Sequence, residues 1–194
     1  MNLKNKYLMI ILAVIIIKIN FSINVQAKEY NRFNNISIED GLSQATVETM
    51  MQDSKGYIWL GTNDGLDRYN GYTFKKYSYE KGQENSLVNS YILDIKEDSE
   101  GNIWVATAAG ISKIYNDGEK VQNYTSDSES GNLSNDNTTT MLISNSNKIY
   151  VGTAEGINLY DKKTDKFNLI YPELKEEYVN SLAEDKYGNI WAGT

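Results

Sequence analysis

One aromatic position recurs along the chain at a nearly fixed interval. Trp59, Trp104, Tyr150 and Trp191 stand 45, 46 and 41 residues apart. Three residues before each lies a glycine or its nearest substitute: Gly56, Gly101, Asn147 and Gly188. Asn147 fits this pattern because asparagine tolerates positive φ better than other side-chain-bearing residues. Six before each aromatic lies a short polar residue that can bond the backbone of the turn it begins: Asp53, Asp98, Ser144 and Asp185. Gly61-Thr62, Ala106-Thr107, Gly152-Thr153 and Gly193-Thr194 follow the aromatic, and a leucine precedes it by seventeen at Leu42, Leu87, Leu133 and Leu174. A period of this size means a repeated supersecondary unit, and it decides the fold before any single element is assigned.

Within each period the sequence predicts short strands. The first set is Val47–Met51, Ile92–Glu97, Thr138–Ile143 and Val179–Glu184. The second is Tyr57–Thr62, Ile103–Thr107, Lys148–Thr153 and Ile190–Thr194. The third is Leu66–Tyr69, Ile111–Tyr115 and Ile157–Tyr160. The fourth is Thr73–Tyr77, Val121–Tyr124 and Phe167–Ile170. Asn70-Gly71 and Asp117-Gly118 are strong hairpin signals. No long stretch keeps a helical period. The expected fold class is all-β: a β-propeller of four-stranded antiparallel blades, with about three and a half blades and an incomplete ring. The blades fall near 41–78, 86–125, 132–171 and 174–194. Arg32–Ser37 resembles the fourth-strand stretch Thr73–Ser78 and is expected to act as a strand that closes the last blade of a full ring. Leucines, glycines and aromatics of the repeat are read as scaffold.

Ahead of the repeats, Lys4 and Lys6 precede an apolar run from Tyr7 to Ile17, and Val25-Gln26-Ala27 places small residues before a cleavage point. Residues 1–27 read as a secretory signal peptide, leaving 28–194 as the exported propeller region. The alternative is an uncleaved anchor extending through Ile23. Removal of Lys4, Lys6 and Lys18 takes the formal net charge from −7 to −10. Such an acidic surface repels phosphate backbones, so no nucleic-acid partner is expected.

Chemistry is sparse. The chain has no cysteine and no histidine, which excludes disulfides, thiolate nucleophiles and the usual general base. It has no phosphate-cradling glycine motif. Asn63–Asp67 places two acids near a glycine but lacks the ligand spacing of a calcium loop. Glu97-Asp98-Ser99-Glu100 reads as a solvated turn. Asp53–Trp59 superficially resembles a sialidase box, yet Arg32 and Arg68 are the only arginines, too few for that family's carboxylate clamp. Asn35, Asn123, Asn132 and Asn137 begin Asn-x-Ser/Thr sequences, as expected by chance in an asparagine-rich chain. No catalytic, cofactor-binding or metal-ligating residue is assigned, no cofactor is expected, and the ligand-binding residues stay unnamed. Ser126–Gly131 and Lys81–Asn85 are the loops most different between copies, and varied loops are where propellers place binding.

The run Asn85-Ser86-Leu87 through Asn116, followed closely by Met50–Asn70, resembles the two-component regulator propeller repeat. The third copy departs at Ser144, Asn147 and Tyr150, and the second at Ala106 and Ile114. The resemblance implies a seven-bladed extracytoplasmic sensor followed by a membrane span and a histidine kinase, hybrid or diguanylate cyclase output. It implies an extracellular ligand such as a saccharide or envelope fragment, and leaves room for a receptor dimer. On this reading the chain is the N-terminal sensing piece of a receptor, truncated before its output domain and not itself an enzyme. The alternative is an exported propeller that binds or cleaves glycans without signalling.

Overall fold

The structure is a computed structural model that describes residues 33–127 and 132–194. The signal segment 1–27 and Arg32 lie outside the described residues. Among the described residues no helix is long and apolar enough to cross a membrane. Residues 36–194 form one compact unit and are described by themselves.

Fourteen strands make four antiparallel sheets in chain order. Blade one is β1 (Val47–Gln52), β2 (Ile58–Thr62), β3 (Gly65–Tyr69) and β4 (Phe74–Tyr77). Blade two is β5 (Ile92–Glu97), β6 (Ile103–Thr107), β7 (Gly110–Ile114) and β8 (Val121–Tyr124). Blade three is β9 (Thr138–Ile143), β10 (Ile149–Thr153), β11 (Gly156–Asp161) and β12 (Lys166–Ile170). A two-stranded sheet of β13 (Ser181–Glu184) and β14 (Ile190–Gly193) follows. Each sheet is a meander with strands in sequence order, and the described blades do not close a ring.

The glycine-type residue makes the first hairpin. At all four copies the N–H three residues after the polar residue donates back to its carbonyl: Gly56 to Asp53, Gly101 to Asp98, Asn147 to Ser144 and Gly188 to Asp185, at 2.8–3.0 Å. Asn147 takes φ 57°, in line with the glycines around it. The threonine makes the second hairpin. Thr62, Thr107 and Thr153 each donate a buried hydroxyl to the carbonyl of the following glycine and accept an N–H from the turn between. A Cβ on Gly110, at φ +118°, would meet the Tyr124 carbonyl oxygen at 2.5 Å. The glycine is required there because the next strand passes so close.

The core lies between blades. Trp59, Leu66 and Tyr77 of blade one pack on Ile92, Ile95, Ile103, Val105, Ile114 and Val121 of blade two. Trp104, Ile111 and Tyr124 of blade two pack on Leu133, Met141, Ile149, Val151 and Phe167 of blade three. Each tryptophan is therefore covered by the blade that follows. Trp59 is 2% exposed and Trp104 0%, whereas Trp191, with no described blade after it, is 65% exposed.

Phe33–Ser37 joins no ladder among the described residues, and Ser37 caps a short 3-10 turn, Ile38–Asp40; the place expected for it, the last blade of a full ring, is not among the blades described. An extended segment with no free ladder beside it has no partner for its backbone groups. One strand bound is corrected. Val179 and Asn180 do not belong to the first strand of the fourth sheet. The Val179 N–H is given to the Thr153 carbonyl of blade three, so its backbone bridges blades.

Candidate functional site

The polar residue that starts each first hairpin does more than close a turn. Asp53 Oδ2 accepts the Trp59 indole N–H at 2.8 Å, and Asp98 Oδ2 accepts that of Trp104 at 2.8 Å. Asp185 holds Trp191 at 3.1 Å. The other oxygen of Asp53 and of Asp98 accepts two turn N–H groups. In blade three the tryptophan is Tyr150, which has no indole N–H, and the acid is Ser144, whose hydroxyl accepts the Lys148 N–H. Acid and indole change together because a buried carboxylate needs its donors and a buried indole needs an acceptor.

The charged run at Glu97–Glu100 is a solvated turn only at Ser99 and Glu100. Asp98 is buried. Glu97 reaches back to blade one and accepts both the Ser54 N–H (2.7 Å) and its hydroxyl (2.6 Å). Glu184 repeats this on the Asn145 N–H of blade three at 2.7 Å. Where blade three has Ile143 at this position, Asn147 Oδ1 accepts the Ser99 N–H instead. Fourth-strand tyrosines add a second tie at the outer edge: the Tyr77 hydroxyl donates to the Gly118 carbonyl and that of Tyr124 to Asp165, which also accepts from Tyr160 on the third strand of its own blade. Burial, then the bond to Asp165, pushes the Tyr124 and Tyr160 hydroxyls above the ordinary phenol range. The acids near Gly65 are also accounted for. Asp67 is fully buried and accepts the Ser43 N–H and hydroxyl at 2.7 and 2.8 Å, and the Asp64 N–H caps Thr62.

These features belong to the scaffold. Among the described residues no group of three acids converges as a metal site would require. A cavity of about 530 Å³ opens between blade three and the two-stranded sheet. It is lined by Ile157 and Ile170. Their counterparts in the first seam, Leu66 and Tyr77, are covered by Ile114 and Val121 of the next blade's third and fourth strands. The cavity is thus an inter-blade seam rather than a ligand cleft.

A displayed surface is found at the opposite end of the blades from the Asp-x-x-Gly turns. In a four-stranded meander the first and third hairpins share one end. The middle hairpin and the connector to the next blade share the other. The loops singled out by sequence belong to these connectors, 81–85 to connector 78–91 and 126–127 to connector 125–137, but 81–85 dips back toward the other end, where Asn85 accepts the Val121 N–H at 3.1 Å and shares a cavity lining with Gly118 and Glu119 of the third hairpin of blade two. Each connector finishes in the same local structure. The side chain two residues after the recurrent leucine accepts an N–H two residues on: Gln44 from Thr46 (2.9 Å), Asn89 from Tyr91 (2.8 Å), Asn135 from Asn137 (2.8 Å). The turns between second and third strands pin the backbone beside it. Gly65 donates to Ser90, Ala108 to Tyr91, Ala154 to Asn137, and Gly156 to Glu177, at 2.8–3.0 Å.

Thr46, Tyr91, Asn137 and Tyr178 are therefore presented at one equivalent point of each blade, just ahead of its innermost strand, and all four are exposed. Innermost strands lie side by side. Asp94 accepts the Met141 N–H at 3.1 Å and Thr139 bonds the Val179 carbonyl, so the four positions share one end of the strand row. Two exposed tyrosines with an amide and a hydroxyl between and beside them form a surface for ring stacking and hydrogen bonding. The sequence carried the signal in the Gln44, Asn89 and Asn135 positions, but it is visible only once the leucines fix the alignment.

Comparison with known proteins agrees with this architecture. Residues 41–64, 86–109 and 173–194 match the two component regulator propeller family. Blade three, which departs at Ser144 and Tyr150, falls outside the matched residues. Over 57 residues the chain is 42% identical to histidine kinase P4 of Formosa agariphila, a match covering 29% of this chain and 4% of that protein. The extracellular domain of hybrid two component system BT3049 from B. thetaiotaomicron superposes with a TM-score of 0.73 at 25% identity, covering 82% of this chain and 23% of that one. A streptogramin B lyase shares the fold alone, with a TM-score of 0.61 at 15% identity over 83% of this chain and 51% of that one. The chain thus spans a small part of the sensor proteins it is similar to. Residues 41–64, 86–109 and 173–194 are thus similar to two component regulator propeller repeats, and they lie in the first, second and fourth of the consecutive antiparallel sheets.

Proposed function

We propose that this chain is the extracytoplasmic ligand-sensing propeller of a membrane signalling receptor, has no catalytic activity of its own, and engages its ligand on the connector face. The observation that carries the reading is the pinned display of Tyr91, Asn137 and Tyr178 on a scaffold similar to the extracellular domain of a hybrid two component system. A rigid blade row presents loops with little reorganisation, and a ligand that prefers one arrangement of a coupled receptor shifts its output. The ligand class that suits paired exposed tyrosines beside amides is a saccharide or envelope fragment, which offers a ring face and hydroxyls together.

The test is a glycan panel assayed for both binding and cleavage, with Tyr91→Ala and Tyr178→Ala beside the parent. Binding weakened about tenfold or more by either substitution, equivalent to ~1.4 kcal/mol, supports the face. Turnover of any glycan by the parent chain rejects the non-enzymatic reading. In the full-length gene product, ligand addition is expected to change the output activity.

A further inference from the structure

Lys113 is the one buried lysine among the described residues, at 8% exposure. It stands on β7 directly across from Trp104 on β6. Its ammonium lies 5.0 Å from the Trp104 ring centre, 4.8 Å from Tyr115 and 5.7 Å from Tyr160. Ring faces attract the charge but accept none of its three N–H bonds in the ordinary sense. Neither an ion pair nor a hydrogen bond joins that ammonium to an oxygen among the described residues.

The same position in the neighbouring blades shows what the scaffold itself needs. Blade one has Arg68 across from Trp59, with its guanidinium 4.6 Å from the Tyr57 ring and 5.6 Å from that of Trp59. A guanidinium is weakly hydrated and stacks on rings. Blade three has Leu159 across from Tyr150, with no charge at all. An ammonium is a compact, strongly hydrated point charge, and burying one without an acceptor is costly. Among the described residues no buried side-chain nitrogen lacks a partner, so the Lys113 ammonium is open to solvent, and lysine is the one occupant of the three that presents free N–H donors there.

Lys113 also lines a cavity of about 170 Å³ between blades two and three, together with Asp98, Glu100, Lys148, Tyr160 and Lys162. The two carboxylates there are already engaged. Asp98 accepts from Trp104, Asn102 and the Glu100 N–H, and Glu100 pairs with Lys162. Three ammonium groups against two carboxylates leave the lining positive. The volume is below the roughly 300–1,000 Å³ of pockets that hold drug-sized ligands, yet holds several water-sized groups. We propose that this cavity binds a single small oxyanion, a carboxylate, sulfate or phosphate group, with Lys113 donating from its buried wall and Lys148 from its rim. The site lies between blades two and three and is independent of the connector-face reading.

Equilibrium dialysis of the whole chain against sulfate, phosphate and acetate at constant ionic strength tests this. Saturable uptake of one equivalent of at least one of them is expected, weakened tenfold or more by Lys113→Met and several-fold by Lys148→Met. Lys186→Met, which removes an ammonium stacked on Tyr187 in the fourth sheet, should leave it unchanged. A measurement on the unsubstituted chain guards against a variant that fails to fold: the Lys113 side-chain resonance should move to a plateau as the anion is added, and that of Lys186 should not. No saturable uptake of any of the three anions overturns the proposal. So does uptake that leaves the Lys113 resonance in place or survives Lys113→Met undiminished. The contrast between acetate and the tetrahedral anions identifies the geometry the cavity prefers.

Discussion

At the scale of single residues, the Asp–Trp clasp organises blades one and two and the last sheet around a side-chain pair six residues apart. Trp104→Ala should destabilise the chain by about 3–5 kcal/mol, the usual cost of emptying a large buried aromatic site. Asp98→Ala should cost about 1–3 kcal/mol by stranding the indole N–H. Because the two share one bond, the double variant should be less destabilised than the sum, by about 0.5–3 kcal/mol in urea melts. Lys76→Ala, on an exposed position, should stay within about 0.5 kcal/mol. Lys75 is a poorer control than its sequence position suggests, since it bonds the Gly118 carbonyl and Glu119 across the seam. The clasp is also a pH element. Hydrogen bonds from the Asn189 side chain and then the Trp191 indole hold the Asp185 carboxyl down to about 2. A depressed carboxyl contributes stability above its unfolded value near 4 that is lost as the pH falls through its folded value. Carboxyl NMR should show Asp185 titrating near 2, and Trp191→Phe should move that midpoint upward. The sequence made the acid's turn role legible, because the spacing of a polar residue and a glycine is local. The bond to the indole was not legible, because nothing in a one-dimensional spacing says that a side chain folds back across its own hairpin.

At the scale of elements, the seam between blades explains a substitution that the repeat left as an irregularity. A Cβ on Gly61 would meet the Ile92 Cγ2 at 2.6 Å, and one on Gly152 would meet the Val179 Cγ1 at 2.8 Å. The copy that has Ala106 faces a blade beginning with Thr138, which turns its hydroxyl to the Thr107 carbonyl at 2.5 Å. Glycine stands where both the next blade and a threonine across the hairpin, Thr49 or Thr140, crowd the position, and alanine where Asp94 is the residue across. Gly61→Ala is expected to destabilise by about 1–3 kcal/mol, as overpacking does, and Gly61→Ala with Ile92→Thr should recover part of that loss in the same melt. Strand placement was largely readable, because alternation and turn residues act within a few positions. The ties between blades were not. Glu97 to Ser54 spans 43 residues, and Tyr124 to Asp165 spans 41. Such pairs become visible only when copies are laid side by side in space. The connector face was not readable: loop variability pointed to residues 81–85, which lie beside the third hairpin of blade two at the other end, while the display of Tyr91 and Tyr178 lay hidden in the regular part of the repeat.

At the scale of the whole molecule, every long-range tie described above joins a blade to the one next to it in sequence. Glu97 links blades one and two; Tyr124 links two and three; Glu184 links three to the last sheet. An assembly of this kind behaves as a nearest-neighbour chain, in which a unit flanked on both sides is held by two interfaces and a terminal unit by one. Its resistance to opening is then graded by rank in the row instead of being shared evenly. Backbone amides of blade two should exchange with deuterium most slowly, those of blade three next, and those of β13 and β14 fastest; equal rates throughout would indicate one all-or-none unit. Fraying that starts from an end exposes one seam at a time, so the interior of the row keeps its shape while its margin breathes. The single-file order of contacts thereby makes the molecule a zipper with a stiff middle, and any load applied along the row is carried by its weakest terminal tooth.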